Sequence, residues 1–147
     1  MKKAVFPGSF DPFTIGHADI VRRAMPLFDE IIIAVGINHQ KQPTFPLEQR
    51  LEMIRKAFAD TDKVHVMSYD TLTADFAAEQ GAEYIIRGIR SVQDFEYERA
   101  MADANKQLSG GKLETVIFYT DPRHAHISSS LVRDLYFHKK DITPYIV

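Results

Sequence analysis

No cysteine occurs among the 147 residues, which excludes disulfides, thiolate metal sites and a cysteine nucleophile. No stretch approaches the ~18 uninterrupted apolar residues of a membrane helix. The N-terminus runs straight into a strand pattern, without the apolar segment of a signal peptide. A cytoplasmic location with no membrane partner is therefore expected. Charge of one sign is also scarce: 18 Lys and Arg stand against 20 Asp and Glu, a formal net charge of −2. That balance argues against broad electrostatic attachment to nucleic acid. The chain has no P-loop lysine motif, no G-x-G-x-x-G and no G-x-S-x-G elbow, so the usual phosphate-loop and serine-hydrolase readings fail. Its six histidines form no metal motif. His124 and His126 lie two apart, without the acidic or thiolate partners of a zinc site, so no protein-held metal is expected.

What remains is ordinary globular composition, 45% apolar and 26% charged, with no repeat, low-complexity stretch or linker. One domain over residues 1–147 is expected. Short apolar runs alternate with segments of helical periodicity. The strand runs are Lys3–Phe6, Glu30–Ile37, Val64–Tyr69, Glu83–Ile86 and Glu114–Tyr119. Helices are expected after Gly16, Pro46, about Leu72, Ser91 and Ser129, with Pro26 ending or kinking the first. Strict alternation predicts an α/β fold, a doubly wound Rossmann-like domain with helices on both faces of a five-stranded parallel sheet. In the order 3-2-1-4-5, strands one and four meet at the switch point where ligands bind beyond the strand C-termini.

The chemistry-bearing residues fall at that edge. After strand one comes Gly8-Ser9-Phe10-Asp11-Pro12-Phe13-Thr14-Ile15-Gly16-His17, a turn-rich loop opening into a helix. His17 in the first helical turn sits where free N–H groups and the helix dipole favour a phosphate. The plainer alternative is a structural capping histidine. Lys41 follows strand two in a polar loop and is unremarkable except for its place. Arg87-Gly88-Ile89-Arg90 follows strand four, offering two guanidiniums suited to phosphate oxygens. Asp94, Glu96 and Glu98 come next, as salt-bridge partners, ribose acceptors or a solvated helix face. After strand five, Ile127-Ser128-Ser129-Ser130 opens a helix with hydroxyls and N–H groups together, and Arg133 lies one turn on.

Together, the P-G-S-F-D-P-x-T-x-G-H opening, the Ile86–Arg90 block, Asp94–Glu98 and I-S-S-S-L-V-R resemble the bacterial phosphopantetheine adenylyltransferases of the nucleotidylyltransferase superfamily. The resemblance runs through the whole chain in order and spacing. It implies transfer of AMP from ATP to 4′-phosphopantetheine, giving dephospho-coenzyme A and pyrophosphate, the penultimate step of coenzyme A synthesis. It also implies Mg²⁺ bound with ATP, a homohexamer, and coenzyme A as feedback inhibitor. By the same resemblance His17, Lys41 and Arg90 are catalytic. Ser9, Lys41, Thr73 and Arg87 bind phosphopantetheine. Ser9, Phe10, His17, Gly88, Ile89, Arg90, Glu98 and the run His124, Ala125, His126, Ile127, Ser128, Ser129, Ser130 contact ATP. Ser9 replaces a common threonine but keeps the hydroxyl, and His124 replaces a frequent tryptophan near the adenine. Two rival readings are a related nucleotidylyltransferase with another phosphorylated acceptor, and a non-catalytic nucleotide sensor of the same build.

Overall fold

Isoleucine and valine runs buried on both faces place the middle strands, because a parallel sheet is covered by its crossover helices. The computed structural model describes residues 1–147. Its strands are β1 (Lys3–Gly8), β2 (Glu30–Gly36), β3 (Val64–Tyr69), β4 (Tyr84–Ile89) and β5 (Glu114–Tyr119). Its helices are α1 (Ile15–Ala24), α2 (Leu47–Ala57), α3 (Thr73–Glu79), α4 (Val92–Leu108) and α5 (Ser129–Phe137). All strand pairs are parallel, in the order β3-β2-β1-β4-β5. This is the expected doubly wound arrangement.

Two cores form, one on each sheet face. Ile31 and Ile33 of β2 pack with Ile20, Val21, Leu51 and Ile54 of α1 and α2, whereas Ile32 and Ala34 pack with Ala74, Phe76 and Ala77 of α3. Successive strand residues thus feed opposite cores, each isoleucine contributing about 1.5–3 kcal/mol on burial. Helix α1 stops at Ala24 because Pro26 follows, inside a 3-10 turn over Met25–Leu27. Helix α4 starts under the Ser91 cap, whose hydroxyl accepts from the Asp94 amide at 3.0 Å, and is broken after Leu108 by Gly110 and Gly111 at φ of 66° and 85°.

Strand β4 runs further than the apolar pattern predicts. Arg87, Gly88 and Ile89 belong to the strand, paired with Ile117, Phe118 and Tyr119, so Arg87 projects from sheet rather than from a loop. On its other side β4 pairs with β1 only at Ala4↔Tyr84 and Val5↔Ile85, while β1 stays paired with β2 as far as Gly8↔Val35. The sheet therefore splits between β1 and β4 toward their C-termini. Pro7 stands at the split and has no N–H to offer across it. This opening at the switch point positions the site.

Candidate active site

The split is closed at the bottom by the ordered loop after β1. Phe10 takes a positive φ of 47°, a left-handed conformation costing about 1–2 kcal/mol for a residue with a Cβ. Its ring is 3% exposed and packs at 5.1 Å from Phe13 and 5.0 Å from His17. Burial of the ring offsets the backbone cost. A Cβ on Gly8 would stand 2.8 Å from this ring. Gly8→Ala should therefore displace Phe10 and cost ~1–3 kcal/mol, read as a lowered melting temperature with slowed turnover. An unchanged melting temperature would show that the ring has room to move.

Asp11 and Arg50 carry the loop's underside. Asp11 is 8% exposed, and its carboxylate accepts the Thr44 and Phe45 amides, each at 2.8 Å. Arg50, 5% exposed, donates to the Ser9 carbonyl at 2.7 Å and the Phe45 carbonyl at 2.9 Å. Burial lowers the Arg50 pKa, and the nearby Asp11 charge opposes that shift. The loop is also tied to α5: Ser129 Oγ donates to the Pro12 carbonyl at 2.8 Å, and Arg133 Nη1 to the Asp11 carbonyl at 2.9 Å. The C-terminal tail returns as well, with Ile146 bridging Thr14.

His17 sits at the N3 position of α1 in a reciprocal cap. The Thr14 hydroxyl accepts the His17 amide, while His17 Nδ1 accepts the Thr14 amide at 2.9 Å. An accepting Nδ1 fixes the neutral tautomer with its proton on Nε2, and Nε2 has no protein partner. Burial pushes the imidazole pKa down to about 4, helped by the Arg87 and Arg90 charges. The ring is thus a neutral donor at the pH of the cell.

Above it lies a cavity of about 250 Å³, lined by Ser9, Phe10 and His17, by Arg87, Gly88, Arg90 and Asp94, and by Ile127, Ser128 and Ser129. Asp94 accepts the Arg90 amide at 3.1 Å and lies 3.8 Å from its guanidinium. A second cavity of about 140 Å³ shares Pro7, Gly8 and Arg87 with the first and adds Tyr69, Thr73, Tyr97, Glu98, Asn105 and Thr115. Arg87 spans the boundary. Its Nη1 donates to the Pro7 carbonyl at 2.6 Å, the acceptor that the sheet split leaves free, while Nε and Nη2 grip Glu98 at 2.8 and 2.7 Å.

Most of the expected site residues meet here, but several do not line the larger cavity. Glu98 faces the second cavity, with Thr73. Ile89 turns to a separate depression beside Val92 and Phe95. Lys41 is exposed on the loop that Asp11 anchors. Ala125 and His126 are exposed, and His124 lies beside Gly16 with its buried Nδ1 unpartnered. The three serines are also more committed than expected. Ser128 caps α5, Ser129 holds Pro12, and Ser130 accepts from Arg133 at 3.0 Å. The phosphate-sized donors left at that helix start are its first amides.

A cytidylyltransferase-like family model matches residues 5–135. The phosphopantetheine adenylyltransferase of Phocaeicola vulgatus is 51% identical over 99% of this chain and 95% of its own. That of Bacteroides fragilis is 49% identical over 99% and 96%. The chain belongs to the phosphopantetheine adenylyltransferase family. It is a nucleotidyltransferase, which removes the sensor alternative. Among solved structures, a bifunctional NMN adenylyltransferase/ADP ribose pyrophosphatase from Francisella tularensis superposes with a TM-score of 0.71 at 16% identity, covering 96% of this chain and 44% of that one. A lipopolysaccharide core biosynthesis protein from Thermoplasma volcanium gives 0.61 at 21% identity, covering 82% and 98%. These more distant likenesses concern the fold.

Proposed function

We propose that this adenylyltransferase moves AMP from ATP to 4′-phosphopantetheine by direct in-line attack, with no covalent enzyme intermediate. The observation that carries the reading is a neutral Nε2–H donor on His17 in the larger of two cavities that share Pro7, Gly8 and Arg87. ATP occupies the larger cavity and the pantetheine arm the smaller. An oxygen of the acceptor phosphate attacks the α-phosphorus, a new P–O bond forms, and the bond to the bridging oxygen breaks to release pyrophosphate. The attacking group is already an anion, so the protein needs neither a nucleophile nor a general base.

What the chain supplies is position and charge. His17 Nε2–H meets the α-phosphate oxygens as the pentacoordinate state forms. Arg90 and the α5 amides take the leaving pyrophosphate, and Arg87 takes the acceptor phosphate. The Asn105 amide and the unpartnered Thr115 hydroxyl offer polar contacts to an amide-bearing arm. Mg²⁺ would be carried on the ATP phosphates rather than held by the protein alone. No cluster of three or more His, Cys, Asp or Glu is present to cage an ion, and Asp94 is the carboxylate facing the larger cavity. These residues fit a cation carried on nucleotide phosphates, which would neutralise part of the charge on the pyrophosphate.

The assay offers ATP with phosphopantetheine, nicotinamide mononucleotide or glycerol 3-phosphate and measures pyrophosphate release. Only the first should react; equal use of another acceptor would overturn the substrate assignment. Lys41→Ala should raise the KM for phosphopantetheine while ATP affinity, titrated alone, stays near normal. Lys41 is exposed and lines neither cavity, and a collapse of ATP affinity with unchanged acceptor KM would refute its assignment to the acceptor.

The same reading gives a cytoplasmic homohexamer inhibited by coenzyme A. Exposed apolar side chains along α4, namely Val92 at 75%, Phe95 at 46%, Met101 at 41% and Leu108 at 59%, favour burial against neighbouring subunits. Light scattering should report six subunits at micromolar protein; a monomer would refute the assembly. Coenzyme A joins nucleotide and pantetheine moieties, so it should compete with both substrates.

A further inference from the structure

Glu98 stands apart from the larger cavity. It lies on α4, its side chain is 7% exposed, and both carboxylate oxygens are taken by Arg87 at 2.7 and 2.8 Å. It lines the second cavity and not the first. The resemblance to the family assigns Glu98 to ATP, and the geometry gives it a different partner.

We propose that Glu98 is the positioning residue of the acceptor-phosphate site, acting through Arg87 rather than by touching either substrate. The inference rests on the two-substrate reading above. A guanidinium has five N–H bonds. Glu98 takes two of Arg87's, one on Nε and one on Nη2, and the Pro7 carbonyl takes one on Nη1. Two remain for a ligand, one on each terminal nitrogen. The fork-to-fork pair fixes the plane of the guanidinium, and the Pro7 carbonyl fixes its rotation in that plane. The Arg87 side chain is 31% exposed and lines both cavities, where those two N–H groups are available to a ligand. Glu98 gives orientation at an electrostatic cost, because its charge cancels part of the attraction between Arg87 and a phosphate. A charge-only view and a positioning view therefore predict opposite signs for its removal.

Glu98→Gln decides between them. Glutamine keeps the shape but loses the charge, and turns an NH₂ group toward one of the Arg87 donors. Positioning predicts that the KM for phosphopantetheine rises ~10-fold or more, the loss of one charge-assisted contact's worth of alignment. The Kd for ATP, titrated without acceptor, should stay within about twofold by the same comparison. In an Arg87→Lys background, where no fork remains to be oriented, Glu98→Gln should add little to the acceptor KM. Should the glutamine variant fail to fold, Glu98→Asp carries the test: it keeps the charge but draws the carboxylate back, and acceptor KM should again rise while ATP affinity holds. A weakened ATP Kd with unchanged acceptor KM would return Glu98 to the nucleotide. A tighter acceptor KM would make it a mere counter-charge. A lowered melting temperature with both constants unchanged would make it structural. Each of these overturns the inference. Wild-type enzyme in the same assay keeps the two levels apart. Absence of turnover with phosphopantetheine sinks the substrate reading, whereas wild-type turnover with an indifferent Glu98→Gln sinks this inference alone.

Discussion

His17→Asn should melt close to the parent temperature yet turn over at least ~100-fold more slowly. The two functions of this ring use different nitrogens. Nδ1 accepts the Thr14 amide at 2.9 Å and completes the α1 cap. An asparagine carbonyl can occupy that place. Nε2–H is the donor left for the α-phosphate, and an asparagine is too short to reach it. Its contact strengthens as charge develops in the transition state, so its loss falls on kcat rather than on ATP affinity. One preorganised donor of this kind is worth about 3 kcal/mol. His17→Ala should lose both functions, with ~1 kcal/mol of cap energy added to the same fall in turnover. Melting temperature, ATP affinity and kcat on one preparation of each variant make the comparison. An asparagine variant within about tenfold of parental kcat would leave His17 a structural residue.

The same ring sets a pH dependence of stability. Burial, with Arg87 and Arg90 nearby, holds its folded pKa at about 4 against an ordinary 6.5. Between those values the unfolded chain binds the proton and the folded chain does not, so stability rises with pH across that window. The contribution is complete above about pH 6.5 and lost as pH falls toward about 4. His17→Asn should flatten that part of the melting-temperature profile. Turnover between pH 6 and 8 should carry no inflection from His17, because the ring is already neutral there.

Sequence periodicity reached the sheet order because the strongest runs, Ile31 to Val35 above all, are buried on both faces and can be little else. It placed the starts of α4 and α5 because Ser91 and Ser128 sit directly before amphipathic turns. It cut β4 short at Ile86 because Arg87 and Gly88 break the apolar pattern. Both are in the strand because β5 pairs with them and the split from β1 gives the arginine somewhere to go. His17 was legible as cap or donor; the structure shows the cap made by Nδ1 alone, which leaves Nε2 without a protein partner. Buried polar partners were the least legible part. Nothing local to Asp11 or Arg50 shows that Asp11 meets Thr44 and Phe45, or Arg50 the Ser9 carbonyl, more than thirty residues away. Their signal is compositional only: charged residues in otherwise apolar surroundings demand a partner.

Asp11→Ala should cost ~3 kcal/mol and lower the melting temperature by roughly 10 °C for a chain of this size. The Asp11 carboxylate is 8% exposed and accepts two backbone amides, Thr44 and Phe45, each at 2.8 Å. Without it both N–H groups lose their partner, the Phe45 one in a buried setting, and hydrogen bonds to a charged acceptor contribute about 1.5–3 kcal/mol each. Arg50 suffers indirectly. Its donors keep the Ser9 and Phe45 carbonyls, but the anion opposing the burial penalty on its charge is gone. Asp11→Asn should recover only part of the loss, since one oxygen can still accept while the NH₂ group opposes the second amide. The damage should also have a direction. Thr44 and Phe45 end the loop that carries Lys41, so releasing them should raise the KM for phosphopantetheine more than the Kd for ATP. Amide hydrogen exchange at Thr44 and Phe45 should accelerate in step with the fall in melting temperature. If Asp11→Ala melts within about 2 °C of the parent, the carboxylate is not the anchor of that loop, and the way Lys41 is brought to the acceptor must be sought elsewhere.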